Sequence, residues 1–381
     1  MTRGSVAIVG AAESDLGEVA QGTTPADLMA QATHRALADA GLTLGDVDAL
    51  FASSTQLSMA TLNLGEYLGV QPRYTDSTQI GGSSFVAHLQ HAQAAIETGR
   101  AEVALIAHGS TQRSQGRSAA APQELSPYEA PYRPMLPVTA YALAAARHMH
   151  DYGTTREQLA EVAVAARAWA ALNPVAWQRK PLTVDDVLDA PQVCSPLGIR
   201  DCCLVTDGGG AVVLTSAARA RDLARPPVYL LGAGEAHTHR HISSMPSLTE
   251  TAAVQSGAAA FAQAGLRPAD VDVVELYDAF TITPVLFLED LGFCANGEGG
   301  AFVSGGRIAP GGEFPLNTNG GGLSYCHPGM YGLLLIVEAV RQLRGDSGDR
   351  QVADCDVALV HGNGGVLSSQ CTALLGAEAT R

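Results

Sequence analysis

"ALADAGLTLGDVDAL", residues 36–50, matches "AFAQAGLRPADVDVV", residues 260–274, at eight of fifteen positions without a gap. Each begins as an alanine-rich helical stretch and breaks at a glycine (Gly41, Gly265) suited to the left-handed turn that ends a helix. Each then runs through Asp-Val-Asp into an apolar segment. A second pair follows in the same order, "VALIAHG" (103–109) and "VALVHG" (357–362). Ordered matches at similar offsets mean that the chain holds two copies of one unit.

Outward from these matches, each copy alternates apolar strands with helices. In the first, "VAIVGAA" (6–12) reads as a strand, 24–41 as a helix, "VDALFAS" (47–53) as a strand, 83–98 as a helix and "EVALIAH" (102–108) as a strand. In the second, "PVYLLGAGE" (227–235), "VDVVELYD" (271–278), "DVALVHG" (356–362) and "CTALLGA" (371–377) read as strands, with helices over 249–264 and 329–344. Apolar strands between helices predict a parallel or mixed sheet covered on both faces, and two such units predict a layered α/β fold. Residues 111–200 do not repeat. They open with a Pro- and Ser-rich stretch (112–137) and continue as helical patterns at 138–151 and 156–171, so they read as an insertion forming a pocket wall, a lid or an oligomer contact. The chain therefore divides into a first half (1–110), an insertion (111–200), the end of the first half (201–225) and a second half (226–381).

Of the 381 residues 46% are hydrophobic and 16% charged, enough for a large core and too apolar for disorder. A net charge of −15 without any basic run argues against nucleic-acid binding. Seven cysteines with no C-x-x-C spacing argue against a metal site built by this chain and for reduced thiols. The opening "SVAIVG" reads as a strand rather than a signal peptide, and no apolar run reaches the roughly 18 residues of a membrane span. The expectation is a cytoplasmic protein without a span.

Ligands of α/β sheets gather at strand C-termini and helix N-termini. Four polar segments fall there: "QIGGSS" (79–84), "LYDAFT" (276–281), "SYCHPG" (324–329) and "HGNGG" (361–365). These segments carry the phenols Tyr277 and Tyr325 and the imidazole His327. Cys326, beside His327 and before an expected helix start at Pro328, is either a nucleophile or a pocket-wall thiol; adjacent side chains usually point apart. His361 ends an apolar strand and is either catalytic or a buried structural histidine, as its counterpart His108 suggests. Gly81, Gly82, Ser83, Asp278, Gly364 and Gly365 complete the set as candidate substrate-binding residues. The helix over 329–344 turns Leu333, Leu334, Ile336, Val337 and Val340 to the core and presents its N-terminus.

The duplication, together with "RDCCLVTDGGGAVVLTS" (200–216), "ELYDAFTITPVLFLEDLGFC" (275–294), "NTNGGGLSYCHPGMYG" (317–332) and "HGNGGVLSSQ" (361–370), resembles the thiolase superfamily. Within it the match is to the branch of sterol-carrier-protein thiolases and lipid-transfer-protein-like enzymes, over nearly the whole chain. That resemblance implies a five-layered αβαβα fold from two duplicated halves, an acyl-CoA substrate and a dimer. Placed on the thiolase nucleophile motif, "GGSSFVAHLQHA" (81–92) puts Gly81 where the cysteine belongs, with Ser83 two positions on, and no cysteine precedes Cys194. The covalent route is closed there. The thiolase Asn-Glu-Ala-Phe loop becomes Tyr277-Asp278-Ala279-Phe280, the Gly-His-Pro loop becomes Cys326-His327-Pro328, and the C-terminal cysteine loop becomes His361 to Gly365.

A lost nucleophile with a tyrosine before Asp-Ala-Phe-Thr resembles the acyl-CoA aldolases that cleave steroid side chains. It implies a carbon–carbon lyase performing retro-aldol cleavage of a β-hydroxyacyl-CoA, with Tyr277 as base or enolate donor, His327 polarising the thioester and His361 assisting. The second catalytic tyrosine of those aldolases falls on Cys326, with Tyr325 adjacent. Two other readings stand beside it: a Claisen-type acyltransferase using Cys326, and a catalytically silent scaffold subunit. No cofactor is expected beyond the coenzyme A of the substrate. The resemblance further implies a small OB-fold and zinc-ribbon partner of the DUF35 type, which would hold any zinc, in a heterotetramer built on a homodimer.

Overall fold

The computed structural model describes residues 1–116 and 125–380. Its strands are β1 (Val6–Glu13), β2 (Ala49–Ala52), β3 (Tyr74–Asp76), β4 (Val103–Ser110), β5 (Gln192–Cys194), β6 (Leu197–Gly198), β7 (Gly208–Ser216), β8 (Val228–His237), β9 (Val273–Leu276), β10 (Val357–Gly364) and β11 (Ser369–Gly376). Its helices are α1 (Pro25–Ala40), α2 (Ala60–Leu68), α3 (Ser84–Glu97), α4 (Val138–Tyr152), α5 (Arg156–Leu172), α6 (Val184–Leu188), α7 (Ala217–Ala220), α8 (Ala253–Ala264), α9 (Ile282–Asp290), α10 (Gly299–Phe302) and α11 (Gly332–Arg344).

The repeated Asp-Val-Asp has the same physical task in both halves. Gly41 (φ 71°) and Gly265 (φ 63°) end α1 and α8 in the left-handed conformation that glycine adopts without strain. The first aspartate of each copy, Asp46 or Asp270, caps the 3-10 turn that follows. The second fixes the neighbouring strand: Asp48 accepts from the Val103 N–H at 2.9 Å, and Asp272 accepts from the Val357 N–H at 2.9 Å. A carboxylate on a strand's first amides sets its register. Accordingly Ala49 faces Ala104 and Val273 faces Ala358, both in parallel pairings.

Nine strands run in the order β3-β2-β4-β7-β1-β8-β11-β10-β9. Among the described residues, the two half-sheets pair with each other through Ala7–Tyr229 and Ile8–Val228, between β1 and β8. Helix α1 covers one outer face and α8 the other, while α3 and α11 lie between the half-sheets and touch strands of both. The layers are thus helix, sheet, helix, sheet, helix. Enclosure on both sides is why α11 buries every residue from Gly332 to Val340 rather than one stripe. Each large aliphatic residue there contributes about 1.5–3 kcal/mol.

Two helices start later than the sequence suggests. Gly329 (φ 76°) cannot belong to a right-handed helix, so α11 begins at Gly332 rather than at 328 or 329. Helix α8 begins at Ala253 because Thr251 is held outside it, its N–H and hydroxyl both donating to Asp290 Oδ2 at 2.8 and 2.7 Å. The insertion carries α4 and α5 within a residue or two of expectation; part of its Pro- and Ser-rich start lies outside the described residues. It packs on the body where Trp177 N–H and Gln178 N–H donate to Tyr325 O and Ser324 O, both at 3.0 Å. Among the described residues, no helix is long and apolar enough to cross a membrane.

Candidate active site

Strand β9 ends at Leu276, and Tyr277 is fixed next by its N–H donating to His361 O at 3.0 Å. The Tyr277 hydroxyl shares a 3.0 Å hydrogen bond with His327 Nε2 and accepts from the Tyr331 N–H at 3.1 Å. Tyr331 is the N-cap of α11, so the phenol oxygen lies at the positive end of a thirteen-residue helix. Only 4% of Tyr277 and 8% of His327 is exposed, which leaves both out of bulk solvent. Burial holds the Tyr277 pKa well above 10, opposed by the Tyr331 amide, and pushes His327 down to about 4. At neutral pH the pair is therefore a protonated phenol and a neutral imidazole: a donor and a lone pair joined by one hydrogen bond.

The surrounding polar groups hold this pair in place. His327 N–H donates to Thr206 Oγ1 at 2.9 Å, and the imidazole of His108 bonds Pro328 O at 3.2 Å. Asp278, expected among the substrate-binding residues, instead turns inward: its carboxylate accepts from Gly322 N–H (2.6 Å) and Leu323 N–H (3.2 Å). It latches the turn that leads to His327. Burial raises its pKa to about 7, against the pull of those two amides. Gly321 (φ 65°) is required beneath it, because a Cβ there would lie 1.9 Å from Asp278 Oδ2.

The expected nucleophile position has no room for a side chain. Gly81 is left-handed (φ 76°), and a Cβ on it would come within 2.7 Å of Gly364 Cα and 2.8 Å of Gly365 N. A Cβ on Gly82 would lie 2.0 Å from Tyr277 Cε2. Gly81, Gly82, Gly364 and Gly365 thus let two backbones and the Tyr277 ring meet. Ser83 is fully buried and committed, its hydroxyl bonded to Ile80 O and Ser369 Oγ, each at 2.8 Å.

Three candidates are not brought to the Tyr277–His327 pair as free groups. Cys326 Sγ faces Thr206 Oγ1 (3.1 Å) and the Asp207 carbonyl (3.7 Å), and burial pushes its thiol up to about 12. It has no helix terminus to lower that value, since α11 begins at Gly332. Tyr325 points its hydroxyl at Glu13 Oε1, at 3.5 Å, beside the Glu13–Arg341 ion pair. His361 has both nitrogens bonded, Nδ1 to Thr372 Oγ1 and Nε2 to Gln370 Oε1, each at 2.9 Å. Its counterpart His108 is also turned inward, with Nδ1 3.0 Å from Ser53 O and Nε2 3.2 Å from Pro328 O, and its one N–H serves one of those carbonyls. The duplicated histidines hold strand ends.

Sequence reasoning missed Tyr331, whose amide meets the phenol, and Thr206, which anchors His327. It also missed Tyr141 of α4, which accepts from Asn363 Nδ2 at 2.8 Å. Among the described residues no group of three or more His, Cys, Asp or Glu is placed to hold a metal ion.

The fold and the site define a thiolase-like protein whose buried site holds a phenol–imidazole pair. Residues 234–377 match the thiolase C-terminal domain-like family. The chain is 36% identical to the 17-hydroxy-3-oxo-4-pregnene-20-carboxyl-CoA lyase of Mycobacterium tuberculosis, over 97% of this chain and 99% of that one. It is 34% identical to a steroid side-chain-cleaving aldolase of Thermomonospora curvata, over 98% of each. A solved structure described as the Ltp2-ChsH2(DUF35) aldolase superposes with a TM-score of 0.90 at 33% identity, covering 99% of this chain and 98% of that one. The chain belongs to the thiolase-like family that contains these side-chain-cleaving lyases.

Proposed function

We propose that this protein is an acyl-CoA lyase that cleaves the Cα–Cβ bond of a β-hydroxyacyl-CoA by a retro-aldol step. The observation that carries the reading is the Tyr277–His327 hydrogen bond at the start of α11, in a site whose nucleophile position is glycine. The β-hydroxyl proton passes to the Tyr277 oxygen as the phenol proton moves to His327 Nε2. The Cα–Cβ pair becomes the thioester enolate, and Cβ becomes a carbonyl carbon. The proton held by His327 then returns through Tyr277 to Cα, giving a shortened acyl-CoA with no net redox change. The Tyr331 N–H and the positive end of α11 stabilise transient charge on the phenol oxygen. Acting as one relay, the two residues differ from the separate base and thioester-polarising roles that the sequence suggests.

The two lyases named above support a bulky, steroid-like acyl chain. The neighbouring structure, described as the Ltp2-ChsH2(DUF35) aldolase, supports a partner of the DUF35 type, which this reading seats on a homodimer. The reading needs no cofactor of this chain's own beyond the substrate's coenzyme A, and a cytoplasmic enzyme is part of the proposal. Incubating the chain and its partner with a β-hydroxyacyl-CoA should release a carbonyl compound and a shortened acyl-CoA, both detectable by liquid chromatography with mass detection. Acyl exchange with free coenzyme A and no carbonyl release would replace the lyase with the Cys326 acyltransferase; neither product would leave the scaffold.

A further inference from the structure

We propose that Tyr141, carried into the body by α4 of the insertion, is a positioning residue for Tyr277, and that this clamp is the insertion's contribution to the reaction. The proposal rests on the lyase reading for its kinetic consequence but not for its structural one.

Tyr141 grips both segments that hold Tyr277. Its ring stacks on Phe280, with centroids 4.3 Å apart and planes 25° from parallel, and Phe280 lies three residues along the same loop as Tyr277. Its hydroxyl donates to Gly365 O at 3.1 Å and accepts from Asn363 Nδ2 at 2.8 Å. The segment so gripped is the one that backs Gly81 and Gly82. A Cβ on Gly82 would stand 2.8 Å from Asn363 O and 2.0 Å from Tyr277 Cε2, so the three groups meet at one point. Any shift of 363–365 is therefore transmitted through Gly82 to the phenol ring. A second route reaches the main chain: Gln370 Nε2 donates to Asn363 Oδ1, Gln370 Oε1 bonds His361 Nε2, and His361 O receives the Tyr277 N–H.

A space-filling aromatic would need only the ring. Tyr141 is 2% exposed and still uses its hydroxyl both as donor and as acceptor. Removing the hydroxyl leaves Asn363 Nδ2 and Gly365 O without this partner in a buried place, and that loosens the segment. Phenylalanine at 141 keeps the stack on Phe280 and breaks only the second grip, so one substitution separates packing from positioning. Displacing a proton-transfer group by a fraction of an ångström costs rate rather than binding.

The test uses the full chain with its partner. In Tyr141→Phe, kcat should fall roughly tenfold with KM within about twofold, and in Tyr141→Leu, which also loses the stack, kcat should fall roughly a hundredfold. Independently of turnover, protein labelled with [13Cζ]tyrosine should show the Tyr277 resonance, assigned by its loss in Tyr277→Phe, moving in Tyr141→Phe. A folded Tyr141→Phe with wild-type kcat and an unmoved Tyr277 resonance overturns the proposal. So does a rise in KM alone, which would make Tyr141 a substrate contact. Should the wild-type chain cleave no β-hydroxyacyl-CoA, the functional reading fails while the resonance still decides the clamp.

Discussion

The two central helices start from equivalent places in the duplicated fold, and their starts are chemically opposite. At α3, in the first half, Gly81 and Gly82 offer no side chain, backbone from 364–365 fills the space, and Ser83 is tied to Ser369. At α11, in the second half, the N-cap amide of Tyr331 meets a phenol oxygen that also bonds an imidazole. Duplication fixes the scaffold but not the chemistry. The glycines at the start of α3 leave room for the ring of Tyr277 against Gly82, so the bare start of α3 and the pair at α11 are one arrangement.

Deleting the phenol should break the comparison hardest. Tyr277→Phe removes both the donor to His327 and the acceptor for Tyr331; kcat for carbonyl release should fall about 10²–10⁴-fold with little change in KM. Filling the space between the helix starts comes next. Gly82→Ala places a methyl 2.0 Å from Tyr277 Cε2, so kcat should fall about a hundredfold in steady-state assays, with a lower melting temperature. Gly81→Cys asks whether α3 can regain a thiol. With φ at 76° and Gly364 Cα at 2.7 Å, it should lose about 1–3 kcal/mol in denaturant titration and give no acyl adduct.

The duplicated histidines give a smaller, pH-dependent effect. Burial lowers His361 from 6.5 to about 4, so between those values the unfolded chain binds more protons than the folded one. Stability is then present above about pH 6.5 and is lost as pH falls toward 4. His361→Gln should flatten that loss by on the order of 1 kcal/mol in denaturant titrations across the window.

Much of the scaffold was legible because it depends on local chemistry. Glycines that end helices and aspartates that bond the next strand act within a few residues or across one strand pair, so their repetition in 36–50 and 260–274 reported the architecture. That the start of α3 carries no thiol was legible too, since no cysteine precedes Cys194. The direction of side chains in the turn 321–327 was not. That the neighbours Cys326 and His327 diverge was expected, but not which groups they meet: the sulfur meets Thr206 and the ring meets Tyr277, partners set by tertiary contacts. Tyr331 escaped notice because its amide, not its side chain, meets the phenol. Tyr141 escaped because α4 of the insertion shows no pattern pointing to residues 363–365. Asp278 looked like a ligand-facing acid, and only the position of the Gly322 and Leu323 amides shows it latching a turn.

Cys326→Ala is the smallest expected change, with kcat within about twofold of wild type, because a buried thiol raised to about 12 supplies no thiolate at neutral pH. The most direct test joins this variant to the intact chain. Wild type and Cys326→Ala, each with partner, are mixed with a β-hydroxyacyl-CoA, quenched during turnover and weighed as intact proteins. The account predicts carbonyl product from both and no acylated chain in either. An acyl adduct on Cys326, with turnover abolished in Cys326→Ala, would contradict it.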